Sequence, residues 1–347
     1  MKLKNLFTVA VAGIMAMSVV GCGSAVSVDG EKKAEATTEA AKAEAATEAA
    51  KAETEAAKAE TEAAKAETEA AAEATAAGSG TIGLSLSTLN NPFFVTLQEG
   101  AQAKAAELGM ELIVVDAGDD SAKQASDIED LISKNISVLI VNPVDSDAVA
   151  PSVEDAIAKD IKVVAVDRMV NGVDVDCSIA SDNVAGAQMA ADYIVELVGE
   201  GAKVAELQGV NGASATIDRG EGFHKVADEK LDVVASQTAN FNRAEGMSVM
   251  ENILQANADV KAVFAHNDEM ALGAVEAVSG KDIVIAGFDA TDDAIAAVKE
   301  GTMACTVAQK PDLMGATAVE TAQKLMNGET VEKSMPVEVK LVTKENA

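Results

Sequence analysis

The chain has 347 residues and a formal net charge of −30, with 57 acidic against 27 basic side chains, no tryptophan, one tyrosine and seven phenylalanines. Such an excess of carboxylates argues against nucleic acid and anionic lipid surfaces as partners, since both attract positive charge. Three cysteines are too few for a disulfide framework.

Residues 1–22 read as a secretion signal, with Lys2 and Lys4 ahead of an apolar run from Leu6 to Val20. Val19-Val20-Gly21-Cys22 then has the form of a bacterial lipobox, so Cys22 is expected to carry lipid and to anchor the chain on the outer face of the cell membrane. A plain signal peptide with an incidental cysteine is the alternative, and the run is short for a membrane span. Residues 23–80 form a spacer rich in Ala, Glu, Lys and Thr, with Lys-Ala-Glu-Thr-Glu-Ala-Ala intact at 51–57, 58–64 and 65–71. The seven-residue period offers only Ala as a knob, which favours a solvated spacer over a zipper. Gly78-Ser79-Gly80 makes a joint before the folded part, whose charge is about −25 (19 basic against 44 acidic residues).

From Thr81 onward, short apolar runs alternate with amphipathic stretches. Strands are expected at 81–86, 111–116, 138–142, 162–167, 203–208, 232–237, 262–266, 283–288 and 303–309, with helices between most of them, among them 95–108, 121–134, 184–197, 219–230 and 243–255. That alternation implies parallel sheets covered on both faces, and roughly ten strands divide more comfortably into two similar domains than into one sheet. The octet Ser87 to Phe94 is expected to be a strand-to-helix loop carrying two adjacent rings beside Ser and Asn. Rings plus amides and hydroxyls suit a sugar, with its apolar C–H faces and hydroxyl edge, although Phe93 and Phe94 equally suit a core.

In open α/β sheets the ligand lies outside the carboxyl ends of the strands. Polar groups collect there repeatedly: Ser87 and Asn91, Asn142, Asp167-Arg168, His266-Asn267-Asp268, Asp289 and Gln309. Arg219 is expected at the start of a helix and Phe241 just before another, with Phe93, Phe94 and Phe288 nearby. The bland readings are a surface ion pair for Asp167-Arg168 and helix-end solvation for Arg219. His224 and His266 have no metal-ligand spacing and read as ordinary residues. Asp145, Asp147, Asp292 and Asp293 read as turn and helix-start residues. Cys177 and Cys305 are expected to be buried free thiols.

Several runs, in order, resemble the type I periplasmic sugar-binding proteins of ABC transport systems, the ribose-binding group in particular. They are Ser-Thr-Leu-Asn-Asn-Pro-Phe-Phe (87–94), Asn-Pro-Val-Asp-Ser-Asp-Ala-Val (142–149), Val-Asp-Arg (166–168), Ile-Ala-Ser-Asp-Asn (179–183), Arg-Gly-Glu-Gly-Phe (219–223), Asn-Asp-Glu-Met-Ala-Leu-Gly (267–273) and Gly-Phe-Asp (287–289). The likeness spans 81–347. It departs from the family at Asn211-Gly212-Ala213-Ser214, at Asp218, and in the lipobox and spacer. The resemblance implies two similar doubly wound α/β domains joined by a three-segment hinge, crossing near 181–183, Gln309 and 338. The N-terminal lobe would be 81–181 plus 310–338, and the C-terminal lobe 182–309 plus 339–347. It implies D-ribose as ligand, bound by Ser87, Asn91, Phe93, Phe94, Asn142, Asp167, Arg168, Arg219, Phe241, Asn267, Phe288, Asp289 and Gln309. Further implications are an ABC permease as partner, a monomeric state, no cofactor, no metal and no enzymatic activity.

The residue types agree with a neutral ligand. Two carboxylates accept, two guanidiniums donate, and their charges cancel. Allose or another related monosaccharide, or a sensor role feeding a chemoreceptor or a membrane kinase, are the alternatives. A glucose/galactose-type site with a Trp platform and calcium loop is disfavoured, as Trp and such a loop are missing from the sequence. A repressor would need a basic helix-turn-helix in front.

Overall fold

The computed structural model describes residues 80–347; the signal, Cys22 and the spacer through residue 79 lie outside the described residues. The described residues form twelve strands: β1 (Thr81–Leu86), β2 (Glu111–Asp116), β3 (Val138–Val141), β4 (Lys162–Val166), β5 (Cys177–Ser181), β6 (Lys203–Gln208), β7 (Asp232–Thr238), β8 (Ala262–Ala265), β9 (Val284–Asp289), β10 (Cys305–Ala308), β11 (Ser334–Val337) and β12 (Lys340–Thr343). Nine helices accompany them: α1 (Pro92–Leu108), α2 (Ser121–Ser133), α3 (Ala150–Ile157), α4 (Asn183–Val198), α5 (Ser214–Lys230), α6 (Arg243–Ala256), α7 (Asp268–Ala277), α8 (Asp292–Glu300) and α9 (Pro311–Met326).

The strands make two six-stranded sheets of matching order, β2-β1-β3-β4-β5-β11 and β7-β6-β8-β9-β10-β12. Every pairing is parallel except that of β12 with β10, which is antiparallel. Each sheet reverses direction of winding between its first and third strands, β1/β3 in one and β6/β8 in the other. That reversal opens a crevice at the carboxyl ends of the strands, where ligands settle in such sheets.

Strand period and burial explain the layers. All four side chains of β3, Val-Leu-Ile-Val, are buried, and successive ones point to opposite faces. Val138 and Ile140 pack with Leu97 and Ala101 of α1 and Met314 and Ala318 of α9. Leu139 and Val141 pack with Ile128 of α2 and Val153 of α3. The second sheet repeats the pattern: Ala262 and Phe264 meet α4 and α5 through Ala187 and Phe223, while Val263 and Ala265 meet α6 and α7 through Met250 and Met270. Each fully buried Val, Leu, Ile, Phe or Met side chain among these contributes about 1.5–3 kcal/mol.

The chain crosses from the first sheet to the second after β5, returns after β10 into α9, which packs along α1, and crosses again between Val337 and Lys340. Close approach of α1 and α9 depends on Gly100 and Gly315: a Cβ on either would run into the backbone of Asp312 or Leu97. Cys177 and Cys305 are buried and not bonded to each other.

Some expectations need correction. Phe93 and Phe94 are not in a loop; Pro92 opens α1, the Asn91 side chain caps it by accepting from Phe93 N at 3.0 Å, and both rings lie in its first turn. Arg219 does not start a helix, because α5 already begins at Ser214. Strands β5, β11 and β12 were not among the expected runs.

A candidate ligand site between the lobes

The strand ends of the two sheets face each other across a cavity lined by Asn91, Phe93, Phe94, Asp167, Arg168, Ala215, Arg219, Phe241, Asn267, Asp289 and Gln309. Ten of the thirteen residues expected from sequence are on this wall, drawn from both lobes.

The first lobe supplies Asp167 directly after β4. It adopts φ 64°, a conformation few L residues enter, which turns its carboxylate off the line of the strand. Asn142 Nδ2 donates to Asp167 Oδ2 at 3.1 Å and to the Val166 carbonyl at 3.2 Å, and Asn142 Oδ1 accepts from Ser87 N at 3.1 Å. Asn142 thus ties the ends of β1, β3 and β4 together. Arg168 is clamped by donation from Nη1 to the carbonyls of Pro143 (2.8 Å) and Val144 (3.3 Å), with Nε 3.7 Å from Asp167 Oδ2.

In the second lobe, Arg219 Nε donates to Asn183 Oδ1 at 2.9 Å and Nη1 to the His266 carbonyl at 2.6 Å, 3.9 Å from Asp289 Oδ1. Asp289 Oδ1 accepts from Gln309 Nε2 at 2.7 Å. Its backbone is strained as well, with φ 130° followed by φ 57° at Ala290. Asn267 caps α7 by accepting from Met270 N at 3.0 Å and donates to the Phe241 carbonyl at 3.2 Å.

Rings frame the charges. Phe93 and Phe94 meet edge to face, centroids 5.1 Å apart. The Arg168 guanidinium lies 5.2 Å from the Phe94 ring and 5.3 Å from the Phe241 ring. Arg219 stands 3.9 Å over Phe288 and 5.9 Å from Phe241. Phe241 therefore serves both cations from between them. It holds φ 58°, after φ 51° at Asn240, and its ring occupies the space that a Cβ on Gly209 would fill.

The electrostatics follow from burial. Burial pushes the Asp167 carboxyl up, opposed by Arg168, Arg219 and the Asn142 hydrogen bond. Asp289 is pushed well up, by burial first; Arg219 pulls it down and the neighbouring Asp268 adds to the rise. Burial lowers both guanidiniums, with Asp167 countering at Arg168 and Asp289 at Arg219; arginine remains charged regardless. Two anions and two cations make a nearly neutral wall. Two of its buried atoms have no hydrogen-bond partner, the donor Arg168 Nε and the acceptor Gln309 Oε1. With the second oxygens of Asp167 and Asp289, they offer an unsatisfied mixture of donors and acceptors.

Three expected residues stand behind the wall. Ser87 and Asn142 are wholly buried and brace Asp167, and Phe288 is wholly buried beneath Arg219. Residues that the sequence reading passed over also matter. Ala215 lines the cavity, Asn183 orients Arg219, and Gly209 makes room for Phe241. The two histidines, far apart in sequence, converge on buried Glu206: His266 Nε2 at 2.9 Å and His224 Nε2 at 3.3 Å. Glu206 also accepts from Gln208 at 3.0 Å and from Ser236.

The lobes also touch without any cavity residue mediating. Ser146 N donates to the Gly212 carbonyl at 3.0 Å, Ser214 N to Ser146 Oγ at 3.2 Å, and Met169 N to Ser214 Oγ at 2.9 Å. The run 211–214 is thus part of a lobe-to-lobe clasp.

Comparison with known proteins identifies the family. Residues 82–330 match the periplasmic binding protein domain. The chain is 52% identical over 265 residues to the ribose import binding protein RbsB of Bacillus subtilis (strain 168), covering 76% of this chain and 87% of that one. Among solved structures, an ABC transporter solute binding protein from Bacillus halodurans C-125 with bound myo-inositol superposes with a TM-score of 0.74 at 35% identity, over 78% of this chain and 96% of that one. A periplasmic solute binding protein from Actinobacillus succinogenes 130z with bound D-allose does so with a TM-score of 0.72 at 31% identity, over 77% and 98%.

Proposed function

This chain belongs to the periplasmic binding protein family and is a sugar-binding component of an ABC transport system rather than an enzyme, and from that premise we propose that it captures D-ribose between its lobes and delivers it to a membrane permease. The observation that carries the proposal is the convergence of Phe94, Asp167 and Arg168 from one lobe with Arg219, Phe241 and Asp289 from the other on one cavity. A neutral polyol satisfies that wall: its hydroxyls donate to the two carboxylates and accept from the two guanidiniums, and its C–H faces rest on rings. A phosphate or an amino acid would need an uncompensated charge that the wall does not offer. The relative at 52% identity is named for ribose, whereas the solute binding proteins solved with bound myo-inositol and D-allose stand at 35% and 31%, which favours the pentose.

A ligand touching both lobes binds the shut form better than the open one and so shifts the population toward it. The three crossings after β5, after β10 and between β11 and β12 serve as the hinge, and the lobes take the bounds 81–181 plus 310–338 and 182–309 plus 339–347. Lipid on Cys22 keeps the monomeric carrier at the membrane face.

Calorimetric titration with D-ribose, D-allose and myo-inositol tests the ligand. Ribose is expected to bind at least tenfold more tightly than the others, a gap of about 1.4 kcal/mol; heat from allose or inositol with none from ribose would replace the sugar. Cys22→Ser should release the protein from membranes into the medium, and retention would remove the anchor.

A further inference from the structure

Asp268 does not line the cavity, yet it is wholly buried. Its oxygens are not spent on the amides of its own helix. Oδ1 accepts from Thr306 Oγ1 at 2.6 Å, and Oδ2 accepts from Thr291 N at 2.8 Å and Thr291 Oγ1 at 3.3 Å. The Thr306 hydroxyl in turn accepts from Ala290 N at 3.1 Å. These bonds hold Ala290 and Thr291, immediately after Asp289, and the held segment is the strained one: Asp289 at φ 130° and Ala290 at φ 57°. Two successive L residues persist in such conformations only where surrounding contacts over-determine them. Room for the brace comes from Gly287, where a Cβ would collide with Asp268 Oδ1. The Asp of Asn-Asp-Glu (267–269) and the Gly of Gly-Phe-Asp (287–289) are thus two halves of one contact.

We infer that Asp268 is a positioning residue that acts with Thr306 to hold Asp289 in its left-handed conformation, and so sets which sugar hydroxyl the site can read. The inference rests on the reading of this cavity as a monosaccharide site with Asp289 on its wall. Burial, partly offset by bonds from Thr306 and Thr291, pushes Asp268 up to about 6. A second carboxylate behind Asp289 carries an electrostatic cost, which a residue serving only to fill the core has no reason to bear.

The test is calorimetry on the full chain with D-ribose and its 2-deoxy and 5-deoxy analogues, using Asp289→Asn, Asp268→Asn, Thr306→Val and Thr306→Ser. Asp289→Asn should lose discrimination at one hydroxyl. Asp268→Asn and Thr306→Val should weaken ribose about tenfold and lose discrimination at that same hydroxyl and no other, while Thr306→Ser keeps wild-type affinity. Wild-type selectivity in Asp268→Asn and Thr306→Val, or an equal loss for all three sugars, overturns the positioning role and leaves the site standing. Wild-type selectivity in Asp289→Asn removes Asp289 from the site, and the inference with it. If Asp268→Asn does not fold, the Thr306→Val and Thr306→Ser pair decides alone, since it differs from the native chain by one hydroxyl or one methyl.

Discussion

The two acidic corners of the cavity, Asp167 and Asp289, occupy matching places in the two lobes and are built differently. Both stand at the end of the fourth strand in their sheet's order, both have positive φ, and each takes one amide donor, Asn142 or Gln309, with an arginine nearby. The Asp167 corner rests on neutral groups: Asn142 is fully engaged, and Arg168 is clamped by carbonyls. The Asp289 corner backs onto a second buried carboxylate, Asp268. The first corner is therefore a rigid acceptor near electrostatic balance, and the second is a strained acceptor whose charge depends more heavily on its arginine.

Removing that arginine should have the largest effect. Arg219→Ala leaves Asp289 and Asp268 without their shared cation, so it is expected to abolish ribose binding and to cost about 3–5 kcal/mol of stability, minus whatever protonation recovers. Arg168→Ala should also abolish binding yet destabilise less, since Asp167 has no carboxylate behind it. Thermal melts with and without ribose check both, and equal destabilisation would erase the contrast between the corners.

Acidification comes next. Asp167 and Asp289 are both raised, burial being the main cause, so the native state binds protons that the unfolded chain does not. Their cost to stability is present above the raised values and disappears as pH falls below the ordinary aspartate range. Ribose pulls the other way, because hydroxyls donate to ionised oxygens. The rise in melting temperature caused by ribose is expected to shrink as the pH is lowered from about 8 to about 5, with the Asp289→Asn variant showing the shallower dependence. A ribose-induced rise that does not change over that range would mean that neither carboxylate accepts from the ligand in its charged form.

The ring that joins the corners gives a smaller effect. Phe241→Leu removes an aromatic face from both guanidiniums, whereas Phe94→Leu removes one from Arg168 alone. Affinity should fall by about 1–2 kcal/mol in the first and about half that in the second. Calorimetry showing the reverse order would shift the burden of stacking to the first lobe. The smallest effect is expected at the clasp: Ser214→Ala loses one lobe-to-lobe bond, about 1 kcal/mol, and should appear as a several-fold faster dissociation of ribose in stopped-flow measurements.

Much of this was readable in the linear sequence, for a physical reason. Buried parallel strands such as Val-Leu-Ile-Val at 138–141 announce themselves by composition, and the rule that ligands sit at strand ends converts their last residues into site candidates. The strands that escaped are of another kind. Cys177–Ser181 carries two serines, and Ser334–Val337 and Lys340–Thr343 close the sheets at their edges with half-exposed, mixed side chains. The start of α5 was missed because Ala213 makes no side-chain cap and the next residues lack helical periodicity. Within the candidate site, the sequence reading picked out residues that line the cavity but could not separate Ser87, Asn142 and Phe288, which stand one layer back. Asp268, Gly209 and Asn183 act through neighbours tens of residues away, and no local pattern reports such contacts.

The clasp formed by Ser146, Gly212, Ser214 and Met169 has a consequence for unloading. Because it rewards shutting independently of the guest, part of the grip on the cargo is exerted by protein on protein. On the function proposed above, such a carrier scavenges dilute solute, and a receiving permease makes it let go by prying at the rim, never reaching the sugar itself.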